Sequence, residues 1–527
     1  MDDPGRRDRR ETTGPGVRAV RAGLAALALL AALVACGPDA SPPGAGARVA
    51  PVTDAPSPPG ADAPEVPGAG APAVAPLRRG RRAGKIRLRV RDVAGRPLRW
   101  RDLRRIQTAG TGEDAADDVL LDARTLRVLD TGPLKPGTGK DAGTVLLDRP
   151  AGDIALALSW PAPAGYSTLI IDLPDPGTYE FADLAARQLL HDLETALTAR
   201  PAYRPGPAVT EARARALTEL AARSPGSAAR ALDAAAGAWV RLLTEYGGER
   251  ARARRDLTWG FTLDDAELAR TAVPAALAAV GGHGPDGAVR VVFDRGTGPA
   301  EYRPVVDRIH RAGMTVVGQF LDSSDLAAVS LPRWRDRVRE YVRVLPDVDT
   351  WEVGNEVNGD WTGTGTVEKI DFATRYVTAH TRARTMLTLY WDLGQTDPAH
   401  STFTWLADRL PAPLLALVDD VGLSLYPEQC PMGVAFDRVM RTLHAALPAQ
   451  RVWIGELGYW SADLDRRWWW GPRDDPEGAG RAAVAAFYGT AVAGYDFAAG
   501  GTFWWYFATE APVDGRLWRA IRDTRPR

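Results

Sequence analysis

The sequence predicts an α/β protein: a (β/α)8 TIM barrel over residues 255–527, preceded by a small β-sandwich-like domain and a helical connecting segment. Two observations predict the barrel. From about Arg255 the chain alternates short apolar runs with amphipathic stretches, and eight such runs fall within roughly 250 residues. Stretches between them, such as Ala300–Ala312 and Pro332–Val344, carry helical patterning. A third observation sets the upstream region apart. Ile86, Leu88 and Val90 alternate with Arg87, Arg89 and Arg91, the period-two mark of a half-buried strand.

Composition narrows the function classes. Hydrophobic residues make up 45% of the 527 and charged residues 25%, enough for sizeable cores. Lys plus Arg number 65 against 66 Asp plus Glu, a formal charge of -1, so no nucleic-acid partner is expected. The two cysteines, Cys36 and Cys430, imply no disulfide framework. Six histidines without a ligand-like cluster argue against a metal, and no glycine-rich phosphate loop precedes a helix in the required context, so no cofactor is expected.

The elements follow in order. Residues 1–36 read as an export signal: an arginine-rich start, then an apolar core over Gly23–Ala35, too short to span a membrane comfortably. It ends in Leu33-Val34-Ala35-Cys36, which resembles a bacterial lipobox. That resemblance implies lipidation of Cys36, an exported protein and a membrane tether; an ordinary signal peptide or anchor helix is the alternative. Residues 37–84, dense in Pro, Gly and Ala, read as a flexible linker.

Residues 85–180 hold short candidate strands, Val119–Leu121, Thr144–Leu147, Ile154–Trp160 and Thr168–Leu173, separated by turn signals such as Ala94-Gly95-Arg96-Pro97. No surface motif decides between carbohydrate binding and packing for this domain. Residues 181–254 are helical: Ala186, Leu189, Leu190, Leu193 and Leu197 form one apolar stripe, and Leu232, Ala236, Trp239, Val240 and Leu243 another.

The eight barrel runs are Leu257–Leu263, Val289–Phe293, Thr315–Leu321, Thr350–Asn355, Met386–Trp391, Val421–Tyr426, Val452–Glu456 and Thr502–Phe507. A doubly wound open sheet satisfies the same period, and in either architecture functional groups gather at the strands' C-terminal ends. Those ends carry Trp259; Arg290 and Asp294; Gln319 and Asp322; Asn355 and Glu356; Trp391 and Asp392; Tyr426; Glu456; and Trp504 and Trp505. An aliphatic core would not place polar and aromatic groups along one rim.

Two glutamates at two strand ends are what a retaining glycosidase needs: one proton donor and one nucleophile, about 5 Å apart across the scissile bond. The pattern resembles the clan A glycoside hydrolases over roughly Trp259 to Phe507, about half the chain. In that clan the fourth strand ends in Asn-Glu, the Glu being acid/base, and the seventh ends in the nucleophilic Glu. Asn355-Glu356 and Glu456, 100 residues apart with two candidate strands between them, match in order and spacing. The resemblance implies a supporting tyrosine at Tyr426, an aromatic platform at Trp505 with Trp504 as the alternate, and a second-strand arginine at Arg290. Val357-Asn358 stands where many members have Pro, which leaves the family within the clan open.

Individual residues keep plainer readings beside these. Tyr426 also suits a core, and Arg290 a buried ion pair. Trp504 and Trp505 are adjacent, so only one faces the barrel mouth. Asn355 suits a sugar 2-hydroxyl, and Trp391 joins the substrate-binding set. Asp294, Gln319, Asp322 and Asp392 either bind sugar hydroxyls or cap the following helices. Tyr459, Trp460 and Trp468-Trp469-Trp470 after the seventh strand are either sugar-stacking faces or an apolar plug.

The expectation is an exported, membrane-tethered retaining glycoside hydrolase acting on an oligo- or polysaccharide. The alternatives are a non-catalytic carbohydrate-binding lipoprotein on the same barrel and a transporter's solute-binding lipoprotein, which needs two hinged lobes.

Overall fold

The computed structural model describes residues 79–107, 118–263, 287–394, 397–460, 469–512 and 514–524. The expected signal segment with Cys36, the linker up to residue 78, and Trp468 lie outside the described residues. Everything described falls in one compact unit, Pro72–Arg527.

The N-terminal part contains two four-stranded sheets. One has the order β4 (Lys135–Pro136), β5 (Val145–Arg149), β1 (Gly84–Arg89), β8 (Gly177–Glu180). The other has the order β3 (Val128–Thr131), β2 (Asp118–Asp122), β6 (Ile154–Ala162), β7 (Gly165–Asp172). The alternation at Ile86 and Leu88 works as expected: both are buried while Lys85 and Arg89 face out. Three helices follow, Phe181–Thr198, Pro207–Ala222 and Ser227–Ala253. The two apolar stripes meet where the Trp239 indole donates to the Leu189 carbonyl at 2.7 Å.

The barrel closes in chain order. Its strands are β9 (Thr258–Leu263), β10 (Gly287–Val292), β11 (Thr315–Gln319), β12 (Thr350–Gly354), β13 (Arg384–Tyr390), β14 (Asp420–Leu425), β15 (Arg451–Leu457) and β16 (Ala498–Trp504). Each pairs in parallel with the next, and β16 returns to β9. This closed barrel replaces the doubly wound alternative and is not a two-lobed architecture.

Two strand readings need correction. β16 begins at Ala498, ahead of the expected Thr502, because Ala498-Ala499-Gly500-Gly501 offers no large apolar side chain to mark a strand. Gly501 has φ +115, and a Cβ there would sit 2.2 Å from the Ile454 carbonyl oxygen, so only glycine lets β16 close on β15. Trp259 lies at the start of β9, not its end.

The barrel interior is layered. Ala288, Val317, Met386, Trp453 and Phe503 form one buried apolar cluster. Two residues further along the same strands, on the same faces, come Arg290, Gln319 and Thr388, all buried. The lumen therefore changes from an apolar floor to a polar layer within one strand repeat.

The β6–β7 hairpin reaches the loops that follow β14 and β15. Tyr166 N–H donates to the Trp469 carbonyl at 2.8 Å, Gly471 N–H to the Ala164 carbonyl at 2.8 Å, and Thr168 N–H to the Met432 carbonyl at 3.2 Å. Gly165, at φ +148, allows this approach, since a Cβ would stand 2.6 Å from Trp470 Cα.

Candidate active site

The site is assembled from the ends of β10, β12, β14, β15 and β16. Arg290 on β10 is its hub and is fully buried. Its Nε donates to Glu352 Oε2 at 2.7 Å and its Nη2 to Glu352 Oε1 at 3.1 Å, a two-pronged pair with a carboxylate inside β12. Nη2 also donates to Asn355 Oδ1 at 3.1 Å, and Nη1 lies 3.0 Å from Glu456 Oε2. The guanidinium carbon stands 5.2 Å from the Trp505 ring centroid, within cation–π range. Burial opposes the charge on Arg290, but Glu352 and Glu456 more than offset it, so its pKa is raised.

Glu456, near the end of β15, is 3% exposed. Its Oε1 accepts the Tyr426 hydroxyl. Burial and the nearby Glu356 carboxylate push the Glu456 carboxyl up, to about 8, against the opposing pull of Arg290 and Tyr426. Glu356 thus disfavours a second charge on Glu456, and two carboxyls so placed resist ionising together.

Glu356 follows β12 and is 1% exposed. Its φ of +44 is unusual for a residue with a side chain. That strain costs on the order of 1 kcal/mol and is held by the surrounding loop. Asn358 does much of this holding: its Nδ2 donates to the Tyr390 and His400 carbonyls, both at 2.9 Å, and its Oδ1 accepts Tyr390 N–H at 2.7 Å. Glu356 Oε2 accepts the Ser323 hydroxyl at 2.9 Å, and Ser323 Oγ accepts the Trp361 indole N–H at 3.0 Å.

The structure thus brings Glu356, Glu456, Asn355, Tyr426, Arg290 and Trp505 into one cluster. Trp504 points elsewhere: it is fully buried and its indole donates to Glu510 at 2.8 Å. Trp391 is buried just past β13, with no acceptor for its indole N–H among the described residues. Asn355 Nδ2 likewise has no acceptor among them. Asp294, Asp322 and Asp392 each accept the backbone N–H two residues on, from Gly296, Ser324 and Gly394, an Asx turn, and of the three only Asp322 caps a helix, Ser323–Leu326. Gln319 is buried and donates to the Leu321 carbonyl at 3.0 Å. After β15, the Tyr459 hydroxyl accepts Trp470 N–H at 2.9 Å, and both residues are buried as packing.

Sequence reasoning missed Glu352, Ser323 and Trp361. Glu352 had a usable signal, a carboxylate inside an apolar strand run, which demands a buried cation. Ser323 and Trp361 had none, because their roles exist only across elements. Among the described residues no group of three or more His, Cys, Asp or Glu is arranged to hold a metal ion.

Comparison with known proteins adds distant likenesses. No family model matches the sequence, and no curated protein matches it. Among solved structures, a GH113 β-1,4-mannanase aligns with 51% of this chain and 97% of its own, at 11% identity and a TM-score of 0.35. A GH10 xylanase from Bispora sp. MEY-1, solved with xylobiose, aligns with 54% of this chain and 99% of its own, at 13% identity and 0.34. A mandelate racemase/muconate lactonizing protein from Herpetosiphon aurantiacus aligns with 68% of this chain and 85% of its own, at 13% identity and 0.29. Likenesses this distant carry no argument about chemistry, which rests on the residues above.

Proposed function

We propose that the chain is a retaining glycoside hydrolase that cleaves an O-glycosidic bond of an oligo- or polysaccharide by double displacement. One observation carries this reading. Two buried carboxyls share a site but have different partners: Glu456 meets a guanidinium and a phenol, Glu356 a serine hydroxyl. Burial and the second carboxylate raise Glu456, but only Glu456 has a guanidinium and a phenol against it to stabilise a carboxylate, so we assign the one proton the two carboxyls hold to Glu356.

The steps follow from that division. Ionised Glu456 attacks the anomeric carbon while Glu356 gives its proton to the glycosidic oxygen. The bond from the anomeric carbon to that oxygen breaks, and the leaving group departs as an alcohol. Glu456 is now an uncharged ester, so Glu356 is stable as a carboxylate. It takes a proton from water as the water oxygen attacks the anomeric carbon and the bond to Glu456 breaks. Both carboxyls return to their starting states with configuration retained. Asn355, held by Arg290 through its Oδ1, keeps its amide N–H for a sugar hydroxyl. Trp505 offers an aromatic face beside Arg290.

Azide rescue tests this reading. Glu456→Ala should lose roughly 10^5-fold in turnover of an aryl glycoside. Azide should restore part of that turnover and yield a glycosyl azide of inverted configuration. Full activity in this variant would refute the assignment, and a barrel that only binds sugar would leave a broad glycan panel uncut.

The proposal extends to location. Leu33-Val34-Ala35-Cys36 supports lipid attachment at Cys36 on the outer face of a membrane. Radiolabelled palmitate should be incorporated into the wild-type chain and not into Cys36→Ala; labelling that survives the substitution would exclude this site.

A further inference from the structure

We propose that Ser323, oriented by Trp361, is a positioning residue that fixes which oxygen of Glu356 carries the acid proton. This rests on the glycosidase reading and adds a residue that the reading does not require.

A serine hydroxyl has one hydrogen to donate and two lone pairs to accept with, and an indole N–H only donates. Trp361 Nε1 lies 3.0 Å from Ser323 Oγ, so Ser323 accepts there. The other contact of Ser323 is Glu356 Oε2 at 2.9 Å, and no further hydrogen-bond partner of its hydroxyl occurs among the described residues. The hydroxyl hydrogen therefore points at Glu356 Oε2. A protonated Oε2 would compete with it for the same line, so the proton of the acid form sits on Oε1.

The site is 1% exposed at both Ser323 and Glu356, so water does not readily replace this donor. Ser323 comes after β11 and Trp361 lies in the turn Asp360–Thr362 after β12, so the two anchors of the acid belong to different βα loops. The Trp361 ring is itself braced edge-on by Tyr390, with centroids 5.4 Å apart. The bracing makes the serine rotor a fixed one. In the first displacement the proton leaves Oε1 for the glycosidic oxygen, and the Ser323 hydrogen bond stays on Oε2, where it stabilises the carboxylate that forms.

Difference infrared spectroscopy of the full chain at neutral pH, wild type against Glu356→Gln, isolates the carbonyl stretch of protonated Glu356. Donation from Ser323 to the carbonyl oxygen Oε2 lowers that stretch. Ser323→Ala should move the band to higher wavenumber, Ser323→Thr should restore it, and Trp361→Phe should move it part of the way. A band unmoved in Ser323→Ala overturns the inference while leaving the glycosidase reading standing. The absence of any Glu356-dependent band overturns the shared-proton reading itself, and the inference with it.

Kinetics with aryl β-glucosides, β-mannosides and β-xylosides of graded leaving groups give a second readout. Ser323→Ala should slow phenyl glycosides roughly tenfold, the weight of one hydrogen bond to a charge-bearing group, and leave 2,4-dinitrophenyl glycosides, which need no proton, nearly unchanged. Glu356→Ala should show the same dependence on leaving group, more steeply. If Glu356→Ala shows it and Ser323→Ala does not, the positioning role is wrong. Equal loss on every leaving group in Ser323→Ala marks a merely structural role and is also contrary to the proposal.

Discussion

The ends of β12 and β15 present the same side chain to the same buried site in different company. Glu456 is approached by Arg290 and by the Tyr426 hydroxyl. Glu356 is approached by Ser323 and sits on a strained backbone at φ +44. Both are almost wholly buried, at 3% and 1% exposure. Burial alone would make them alike; the partners make them different. The lesson is that burial does not assign roles by itself: a guanidinium and a phenol against Glu456 and a serine hydroxyl against Glu356 are what separate two equally buried carboxyls.

Removing that cation should do the most damage. Arg290→Ala leaves Glu352 buried without its guanidinium and Glu456 without its charge partner, so stability should fall by about 3–5 kcal/mol. Activity should fall more than roughly 10^3-fold beyond any loss of folded protein, read by denaturant titration alongside kinetics. Tyr426→Phe is subtler. It deletes one hydroxyl from Glu456, and turnover should drop roughly 10^2-fold with the thermal midpoint little changed. A loss that appeared only in stability would mean that Tyr426 is core.

The adjacent tryptophans sharpen the comparison further. Trp505→Ala should raise KM or lower kcat/KM roughly tenfold, because it removes the face beside Arg290. Trp504→Ala should instead destabilise the fold, since its indole is buried on Glu510. Equal catalytic effects from both would break this assignment.

The smallest effect concerns pH. Below about 4.5 Glu356 and Glu456 hold their protons in the folded and unfolded chains alike. Between there and about 8 the unfolded chain releases both protons while the folded site still holds one between the two carboxyls, so the folded state binds more protons and stability falls as pH rises. Asp118, pushed up to about 6 by burial, acts in the same direction over a lower window. Glu356→Gln removes the like charge, so its stability loss between pH 5 and pH 8 should be smaller than the wild type's by roughly 1–2 kcal/mol. A wild-type stability that rose across that window would contradict the shared proton.

Much of this fold was legible because parallel barrel strands are buried on both faces and read as continuous apolar runs. β16 was placed late because glycines and alanines leave no such trace at Ala498–Gly501. Glu356 and Glu456 stood out because each closes an apolar run. Glu352 lay in the same run as Glu356, yet its meaning needs Arg290, 62 residues away and brought beside it only by inward-facing positions on two strands. Asp294, Asp322 and Asp392 were ambiguous between binding and capping, and each takes the N–H two residues on, a local geometry that sequence cannot distinguish from a ligand contact. Ser323 carried no local signal, because a serine beginning a helix is commonplace and its partners come from the next βα loop.

The central claim is that Glu456 bonds to the sugar while Glu356 moves the proton. Trapping decides it: incubate the full chain with 2-deoxy-2-fluoroglycosyl fluorides of glucose, mannose and xylose, digest, and locate the adduct by mass spectrometry. The account predicts a single fluoroglycosyl ester on the peptide carrying Glu456, absent from Glu456→Ala. An adduct on Glu356, or turnover of the same sugar's aryl glycoside with inverted configuration, would contradict it.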